Sequence, residues 1–598
     1  MLNQAVYETD FCIIGGGLSG TIAALAAARK GAKVVLIQDR PVLGGNSSSE
    51  IRMWVRGARG YCNKETGILA EFEEENIYRN STLSPSLWDS VLYGKIKENE
   101  NITLLLNASC MDAETKDGKI VSVTAWQLTT YTYCKVYAGL FADCSGDSIL
   151  AFLTDAKHRI GREGHAEFGE RIGPETADEK TMGMSILLQA RETDRKVSFV
   201  PPEWANVYET DEAFSPFIRT ETQNGTEIKP EARDHEIGTS GGNLWWMELG
   251  GEGPAIENTE RTRDELLKIA FGVWDHIKNR GEHGCDNWEL EWVGFLPGKR
   301  ESVRYIGDIV LTQNDIEENR RFDDAVAYGG WPMDDHNPGG IKADSPSVMY
   351  PAPSPYEIPY RCLYSVNIDN LFFAGRNISA THAAMSSTRV MGTCSLLGQA
   401  IGNAAAICVK ENLLPRDIIT GGRISALQRE IQNDGVMLPS LLRKVSPLTE
   451  SAHLNISDEE RSILFDGIER PRVEGDRHYI ELQTGESITF TFDKEEYVDT
   501  LRMLFDPDYS RLSVSENKKM RVFAQKLHCG LDFKPVKVPN TLVKHFSVWA
   551  DGKLISEEQK NYYSLRTVPL RVKAKKIEIV FHATNGSPTV RLFACDFI

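Results

Sequence analysis

No run of apolar residues in this 598-residue chain reads as long enough to cross a bilayer, which takes roughly 20 in succession. Basic residues are in deficit: 67 Lys and Arg against 85 Asp and Glu leave a net charge of −18. That balance argues against nucleic acid or an anionic membrane as the main partner. Paired cysteines are missing as well. The 11 cysteines, among them Cys12, Cys110, Cys144, Cys394 and Cys595, are dispersed without a C-x-x-C, which excludes a zinc site or disulfide framework of the usual spacing. The first ten residues lack the basic region and apolar core of a signal peptide. Together with the cysteine usage, this leads to the expectation of a cytoplasmic protein. Internal repeats and low-complexity tracts are absent. What remains is an ordinary globular composition, 41% hydrophobic and 25% charged, in a chain long enough for several domains.

The most informative stretch lies near the start. Phe11-Cys-Ile-Ile14 reads as a buried parallel strand, and Gly15-Gly-Gly17-Leu18-Ser19-Gly20 follows it with the G-x-G-x-x-G spacing. An alanine-rich helix over 21–30 ends at Gly31, and a second strand covers 33–37. In this setting the first glycine permits the tight turn and the second lets backbone approach a pyrophosphate. The third allows close helix–strand packing, and the helix N-terminus faces the phosphate charge. The unit predicts a Rossmann-type dinucleotide site. An acidic residue usually meets the ribose about 20 residues on. Here Gln38, followed by Asp39, holds that place, and an amide can both donate to and accept from a ribose hydroxyl. Next come Gly44-Gly45-Asn46-Ser47-Ser48, poor core and good ligand-lining loop, with an ordinary polar turn as the competing reading.

Further along, 66–100 read as amphipathic helices and 101–106 as a strand. Asp117-Gly118 reads as a hairpin turn joining that strand to another over 120–126. A strand over 135–142 ends at Asp143-Cys-Ser145-Gly146-Asp147, a second place where backbone can approach the dinucleotide. From about 156 to 365 the βαβ rhythm disappears and Trp, Pro and charge increase. Within it 181–190 and 244–249 read as strands and 264–278 as a helix. A strand then ends at Gly375-Arg376, and a small-residue helix over 395–409 carries Gly398 and Gly402. Residues 411–470 read as helical, and beyond them alternating apolar runs between turn signals predict a β-sandwich.

Three motifs together carry a resemblance: Gly15-Gly-Gly17-Leu-Ser-Gly20, Phe141-Ala-Asp-Cys-Ser-Gly146-Asp147, and Leu371-Phe-Phe-Ala-Gly375-Arg-Asn-Ile-Ser-Ala-Thr-His382, continuing to Ser387-Thr-Arg389-Val-Met-Gly-Thr. Over roughly 8–410 the chain resembles the FAD-dependent oxidoreductases of the glutathione-reductase-type FAD-binding superfamily. The resemblance implies FAD as resident cofactor, with the Gly15 loop at the pyrophosphate and Gln38 at the ribose. It places Ala108 to Cys110 beside the adenine, and Gly375 and Arg376 near the ribitol and phosphates. Many relatives carry an acid after that glycine; Arg376 stands there instead. Gly392 and Thr393 would begin the last helix, its positive end facing the pyrimidine side of the flavin. In the fumarate-reductase-like branch an arginine in a similar place touches substrate. By that similarity Arg389 binds or polarises substrate, and His382 serves as base or hydrogen-bond donor.

The expected architecture is an α/β Rossmann-type FAD-binding domain split between 1–155 and 366–410. An inserted α+β substrate domain covers 156–365, a helical linker region 411–470 and a C-terminal all-β sandwich 471–598. Catalysis is assigned to His382 and Arg389, and substrate contact to Arg300, Trp331, Tyr360 and Arg361. The charged run 299–304 reads either as an anion clamp or as a solvated face. The glycine-flanked segment 329–340 has the form of a lid, and Asp335-His336 is too small a set for a metal site. Trp245 and Trp246 read as core or as a sugar-stacking wall. The expected reaction is hydride transfer between a small polar substrate, a carbohydrate or polyol alcohol, and flavin N5. The alternatives are an unsaturated-acid dehydrogenase or reductase, redox-neutral flavin-assisted glycoside cleavage or elimination, and a carbohydrate-binding protein with structural FAD. The expected partners are a small-molecule substrate and an electron acceptor, without nucleic acid or membrane, compatible with a homo-oligomer.

Overall fold

A computed structural model describes residues 2–210, 219–223, 226–231, 242–280, 283–343, 345, 347–509, 511–515, 518–521, 524–526 and 529–598. Its first sheet is built on β1 (Asn3–Ile14), whose last four residues are buried. Beside β1 lie β2 (Val34–Ile37), then β3 (Ile102–Leu105), all parallel. On the other side lies β6 (Thr132–Asp143), also parallel, and then the meander of β5 (Lys119–Gln127) and β4 (Ala108–Lys116). The hairpin at Asp117-Gly118 joins β4 to β5. This differs from the expected pairing with 101–106, because the side chains of β4 are mostly exposed and carry little apolar signal.

Register sets the site. Ile14 pairs with Ile37 and with Asp143, and the strand Leu371–Phe373 adds Phe373 opposite Asp143. The segments that follow these strands, Gly15, Gln38, Cys144–Gly146 and Gly375, therefore emerge at one carboxyl edge of the sheet. That edge is where open α/β sheets bind ligands. Helix α1 (Leu18–Arg29), nearly all alanine and small residues, packs on the long helix Met391–Glu411. A Cβ at Gly398 or Gly402 would overlap the carbonyls of Ser19 or Ala23, so the glycines in that helix are what let the two axes approach. Met391–Glu411 is long and apolar enough to span a bilayer, with mean hydropathy 1.3, which corrects the reading that no such segment exists. Its window is 89% buried, so core packing accounts for its apolarity.

The middle of the chain divides between two cores. Residues from 184 to 293, joined by Ile341, with short antiparallel strands such as Leu188–Glu192 against Trp288–Val293, surround Trp274 and Leu266. Residues 305–364 instead join the main core through Tyr305, Val326, Tyr356 and Tyr360. A small sheet, Glu248–Leu249, Met184–Ser185 and Gly298–Lys299, carries side chains toward the cofactor domain.

While Leu512–Ser515 and Lys518–Arg521 pair separately, most of the C-terminal strands expected as a sandwich form one hydrogen-bonded antiparallel sheet. It is built on a long ribbon of Ser487–Phe505 against Leu565–Thr584, interrupted by irregularities after Thr491 and Val498. The sheet shares one core, with Phe490 meeting Phe597 at 4.9 Å and Phe505 meeting Phe546 at 5.8 Å. The short strand His453–Leu454, within the expected linker, adds to its edge. Tyr562, Tyr563 and Ser564 tie this sheet to the helix Ile68–Arg79 through Glu74 and Glu75, and Tyr562 stacks on Tyr78 at 3.8 Å.

Candidate active site

A cavity of about 650 Å³, within the usual size of ligand sites, follows the carboxyl edge of the first sheet and continues under the middle segment. At one end it is bordered by Ala108, Ser109 and Cys110; at its centre by Gly15, Gly17, Leu18, Ser19, Gly44 and Gly45. Gln38, Asp39, Asn46, Ser145, Gly146, Asp147, Gly375 and Arg376 also border it. Gly17 and Gly44 form a backbone bridge, and Gly44 donates to the Gly16 carbonyl at 2.8 Å. Helix α1 starts at Gly17 without a side-chain cap, leaving first-turn N–H groups for an anion. A Cβ built on Gly17 meets nothing nearer than the Gly45 Cα at 3.9 Å. These features fit a dinucleotide pyrophosphate.

Gln38 is 2% exposed and already engaged. Its Oε1 accepts from Gly16 N–H at 2.7 Å and its Nε2 donates to the Val42 carbonyl at 3.1 Å. It braces the glycine turn, which leaves the neighbouring Asp39, exposed on the cavity rim, as the carboxylate suited to ribose hydroxyls. Arg376 donates to Asp147 at 2.7 Å, and Lys299 Nζ lies 2.6 Å from the same carboxylate. Burial alone would raise the Asp147 pKa; Arg376 and Lys299 outweigh it and hold the carboxyl at about 2. Arg376 Nε is buried without a hydrogen-bond partner and is available to a phosphate or ribitol oxygen. Five residues expected at the cofactor stand one layer back. Gly20 packs on the Gly15 carbonyl, and Ser47 donates to the Gly44 carbonyl while accepting from Trp88. Ser48 is buried, Gly392 N–H donates to the Arg56 carbonyl at 2.7 Å, and Thr393 donates to Glu65.

Beyond Gly375 the wall changes character. Arg59 lies over Trp331 at 4.6 Å, and Arg56 between Trp331 and Trp54 at 5.8 and 5.3 Å. Trp54 meets Trp245 edge-on at 6.2 Å, and Arg300 lies 5.9 Å from the Trp245 ring. This alternating guanidinium–indole ladder borders the cavity throughout. Facing the same space are Arg389 and His336. Imidazole Nδ1 of His336 is 2.7 Å from Glu248 and Nε2 is 3.2 Å from Asp334. Arg300 lies 3.3 Å from Glu248, and Arg389 donates to the Asp334 carbonyl at 3.1 Å. Burial would raise the Glu248 pKa, but Arg300, His336 and Arg389 bring it down to about 2. At the cofactor side Cys394 borders the cavity as a neutral thiol, pushed up to about 12 by burial.

Of the residues expected to act on substrate, Arg389, Arg300 and Trp331 come together here. Three do not border the cavity. Tyr360 is fully buried and donates to the Pro415 carbonyl at 2.7 Å; Arg361 pairs with Asp324 at 2.9 Å. Both follow the strand Tyr356–Pro359, which belongs to the main core. His382, 2% exposed, has Nδ1 2.8 Å from Glu301 and Nε2 2.9 Å from Asp335. Burial would lower its pKa, yet Glu301 and Asp335 raise it to about 10. It is an imidazolium held by two carboxylates, which corrects its assignment as a base. Trp54, Arg56, Arg59, Glu248 and Asp334 were not foreseen.

A raised folded pKa sets a pH window. The stabilisation from His382 is complete below its ordinary value of about 6.5 and is lost as pH rises through about 10. Thermal denaturation at several pH values between these limits is expected to show a falling midpoint for the native chain and a flatter profile for His382→Gln. Equal slopes would remove the imidazolium from the account.

A parallel sheet with a glycine-rich pyrophosphate turn, joined to a cationic, indole-lined chamber, defines a dinucleotide-dependent enzyme. The family described as FAD dependent oxidoreductase matches residues 10–431, and the chain belongs to it, with FAD as its cofactor. Glycerol-3-phosphate dehydrogenase of Mycobacterium leprae (strain TN) is 37% identical over 80 residues, 13% of this chain and 14% of that protein. Glycerol-3-phosphate dehydrogenase 2 of Mycobacterium tuberculosis (strain ATCC 25618 / H37Rv) matches to the same extent, so the match spans 14% of each relative's length. Among solved structures, a geranylgeranyl bacteriochlorophyll reductase-like protein of Thermoplasma acidophilum is 10% identical with a TM-score of 0.31, over 72% of this chain and 86% of that one. A variant of E. coli quinol fumarate reductase FrdA is 11% identical with a TM-score of 0.26, over 72% and 75%.

Proposed function

We propose that the enzyme oxidises an alcohol carbon of a small hydroxylated substrate that carries an anionic group, such as a sugar acid or other hydroxy acid. Bound FAD supplies the two-electron acceptor. The observation that carries the reading is the guanidinium–indole ladder ending at the Glu248–His336–Asp334 set. Indole faces suit the C–H faces of a sugar, and guanidinium forks suit a carboxylate. Arg300 and Arg389 hold the anion in a chain whose net charge is −18, so attraction must be local. The Asp334 carboxylate takes the hydroxyl proton, and His336, fixed by Glu248 through Nδ1, donates to it through Nε2. The four arginines on this wall also favour a second reading, reduction of an unsaturated carboxylic acid.

Anaerobic exposure of the yellow holoprotein to sugar acids, other hydroxy acids, neutral polyols and enoates tests this. Bleaching of the flavin band by hydroxy acids is expected. Equal bleaching by neutral polyols defeats the anionic requirement. Reoxidation of reduced protein by enoates, with no bleaching by any alcohol, replaces the first reading with the second. With the reducing substrate, Arg389→Ala is expected to keep FAD and lose about 100-fold or more in kcat/KM, about 2.7 kcal/mol of transition-state stabilisation. Unchanged kinetics would remove Arg389 from the site.

A further inference from the structure

Residues 48–67 contain no helix or strand, yet they supply Trp54, Arg56 and Arg59 to the cavity wall. So long an irregular stretch must find partners for its backbone polar groups elsewhere. Two of the side chains that supply them, Gln525 and Arg470, come from the C-terminal third of the chain. Gln525, 1% exposed, accepts from Val55 N–H at 3.1 Å and donates to the Ser47 carbonyl at 3.1 Å. One side chain thus spans the stretch from the cofactor turn Gly45–Ser47 to the residue after Trp54. Its neighbour Ala524 lies in the main core, and its carbonyl accepts from Asn76 at 2.6 Å. At the other end Arg470, 4% exposed, donates to the carbonyls of Cys62 and Lys64 at 2.6 and 2.9 Å and to Thr66 Oγ1 at 3.0 Å. Between these anchors the Arg56 carbonyl accepts from Gly392 at the start of Met391–Glu411.

We propose that the C-terminal third is a positioning device for the active site, and that Gln525 and Arg470 are its positioning residues. They hold the 47–66 stretch so that Trp54, Arg56 and Arg59 face the cavity and the Arg56 carbonyl meets the N-terminus of the last helix. Neither side chain borders the cavity; each acts through the backbone it holds. The segments that carry Arg470 and Gln525, before and between the C-terminal strands, are on this account part of the catalytic unit.

Three full-length variants test the idea. Gln525→Met keeps the shape and loses both hydrogen bonds. Gln525→Glu can reproduce the amide only when protonated, accepting from Val55 with its C=O and donating to Ser47 with its O–H. Arg470→Lys keeps the charge and loses the fork that reaches three acceptors. Hydrogen exchange of the holoprotein is measured peptide by peptide, with the rate of flavin release followed by its fluorescence. At about pH 8.5, exchange within 47–66 is expected to rise about tenfold in both Gln525 variants, with FAD released about tenfold faster and the ribbon strand 565–584 unchanged. Lowering the pH to about 5.5 should return Gln525→Glu, and not Gln525→Met, toward native behaviour. In Arg470→Lys the rise should concentrate in 62–66. Exchange and release unchanged in all three variants would overturn the proposal. So would a uniform rise across the whole chain, because that reports lost global stability and not a displaced segment.

Discussion

Gly17→Val is expected to give a folded chain that no longer takes up FAD. The position is extended, with φ −63° and ψ 178°, a backbone conformation open to any residue. A Cβ there meets no protein atom closer than the Gly45 Cα at 3.9 Å. The added isopropyl group therefore costs the apoprotein little and projects into the cavity between Gly17 and Gly45, where the pyrophosphate must approach backbone. A loss of at least about 100-fold in FAD affinity, about 2.7 kcal/mol, is expected. The purified variant should be colourless, with a denaturation midpoint matching that of native protein stripped of flavin. Gly15→Ala makes the contrast. Gly15 has φ 101°, and a Cβ would overlap the Cys144 carbonyl, so this smaller change should impair folding itself. A Gly17→Val protein that purifies yellow with full FAD occupancy would place the pyrophosphate elsewhere.

That contrast shows why the cofactor half of the site could be read from sequence. Gly15, Gly146 and Gly375 all have positive φ and follow parallel strands, so the same local constraint that demands glycine also marks the carboxyl edge of the sheet. Gln38 stands where an acid was expected because its side chain is occupied by the turn, a long-range fact that strand spacing does not reveal. The substrate half was less legible. His382 has the connection between the last strand and helix to recommend it, but Glu301 and Asp335 close over both its nitrogens. The imidazole that borders the cavity is His336, and one signal was available. Successive residues of a strand face opposite sides, so in Met333–Asp335 and the residue after it, 334 and 336 share one face and 335 the other. Asp334 and His336 meet the cavity while Asp335 meets His382. The arginine-rich stretch Arg52-Met-Trp54-Val-Arg56-Gly-Ala-Arg59 lies in no helix or strand, and its partners Glu65, Gly330 and Gln525 are drawn from three regions of the chain. Tyr360 and Arg361 show the reverse failure. Polar and aromatic residues near the last cofactor strand satisfied a composition argument, while their side chains serve the core and an outlying ion pair.

The ion network behind His336 carries the other large effect: Arg304→Ala is expected to destabilise the protein by about 3–5 kcal/mol. Arg304 is 1% exposed and donates to Glu301, to Glu163 at 2.8 Å and to the Gly161 carbonyl at 2.7 Å. Glu163 in turn accepts from the His382 backbone N–H at 2.8 Å, and Glu301 accepts from Met182 N–H at 2.9 Å. Burial would raise the Glu163 pKa, and Arg304 foremost among its neighbours keeps it below the usual carboxylate range. Removing the guanidinium leaves buried Glu163 and Glu301 with only the His382 imidazolium, which Asp335 also holds, a charge imbalance away from solvent. Truncation of one partner in such a set costs far more than the net worth of the set. Replacing the charged group as a whole should therefore cost less than breaking it. Arg304→Met combined with Glu163→Gln and Glu301→Gln is expected to recover part of the loss, measured as denaturation midpoints of the native protein, Arg304→Ala and the triple variant in one buffer. The network also fixes the position of His382 and, through Asp335, the strand that presents Asp334 to the cavity. The recovered triple variant should then remain yellow and turn over more slowly, since its stability is restored while the imidazolium has lost Glu301. Full activity in that variant would show that the buried charges serve stability alone, and a triple variant no more stable than Arg304→Ala would show that charge imbalance is not the cause of the loss.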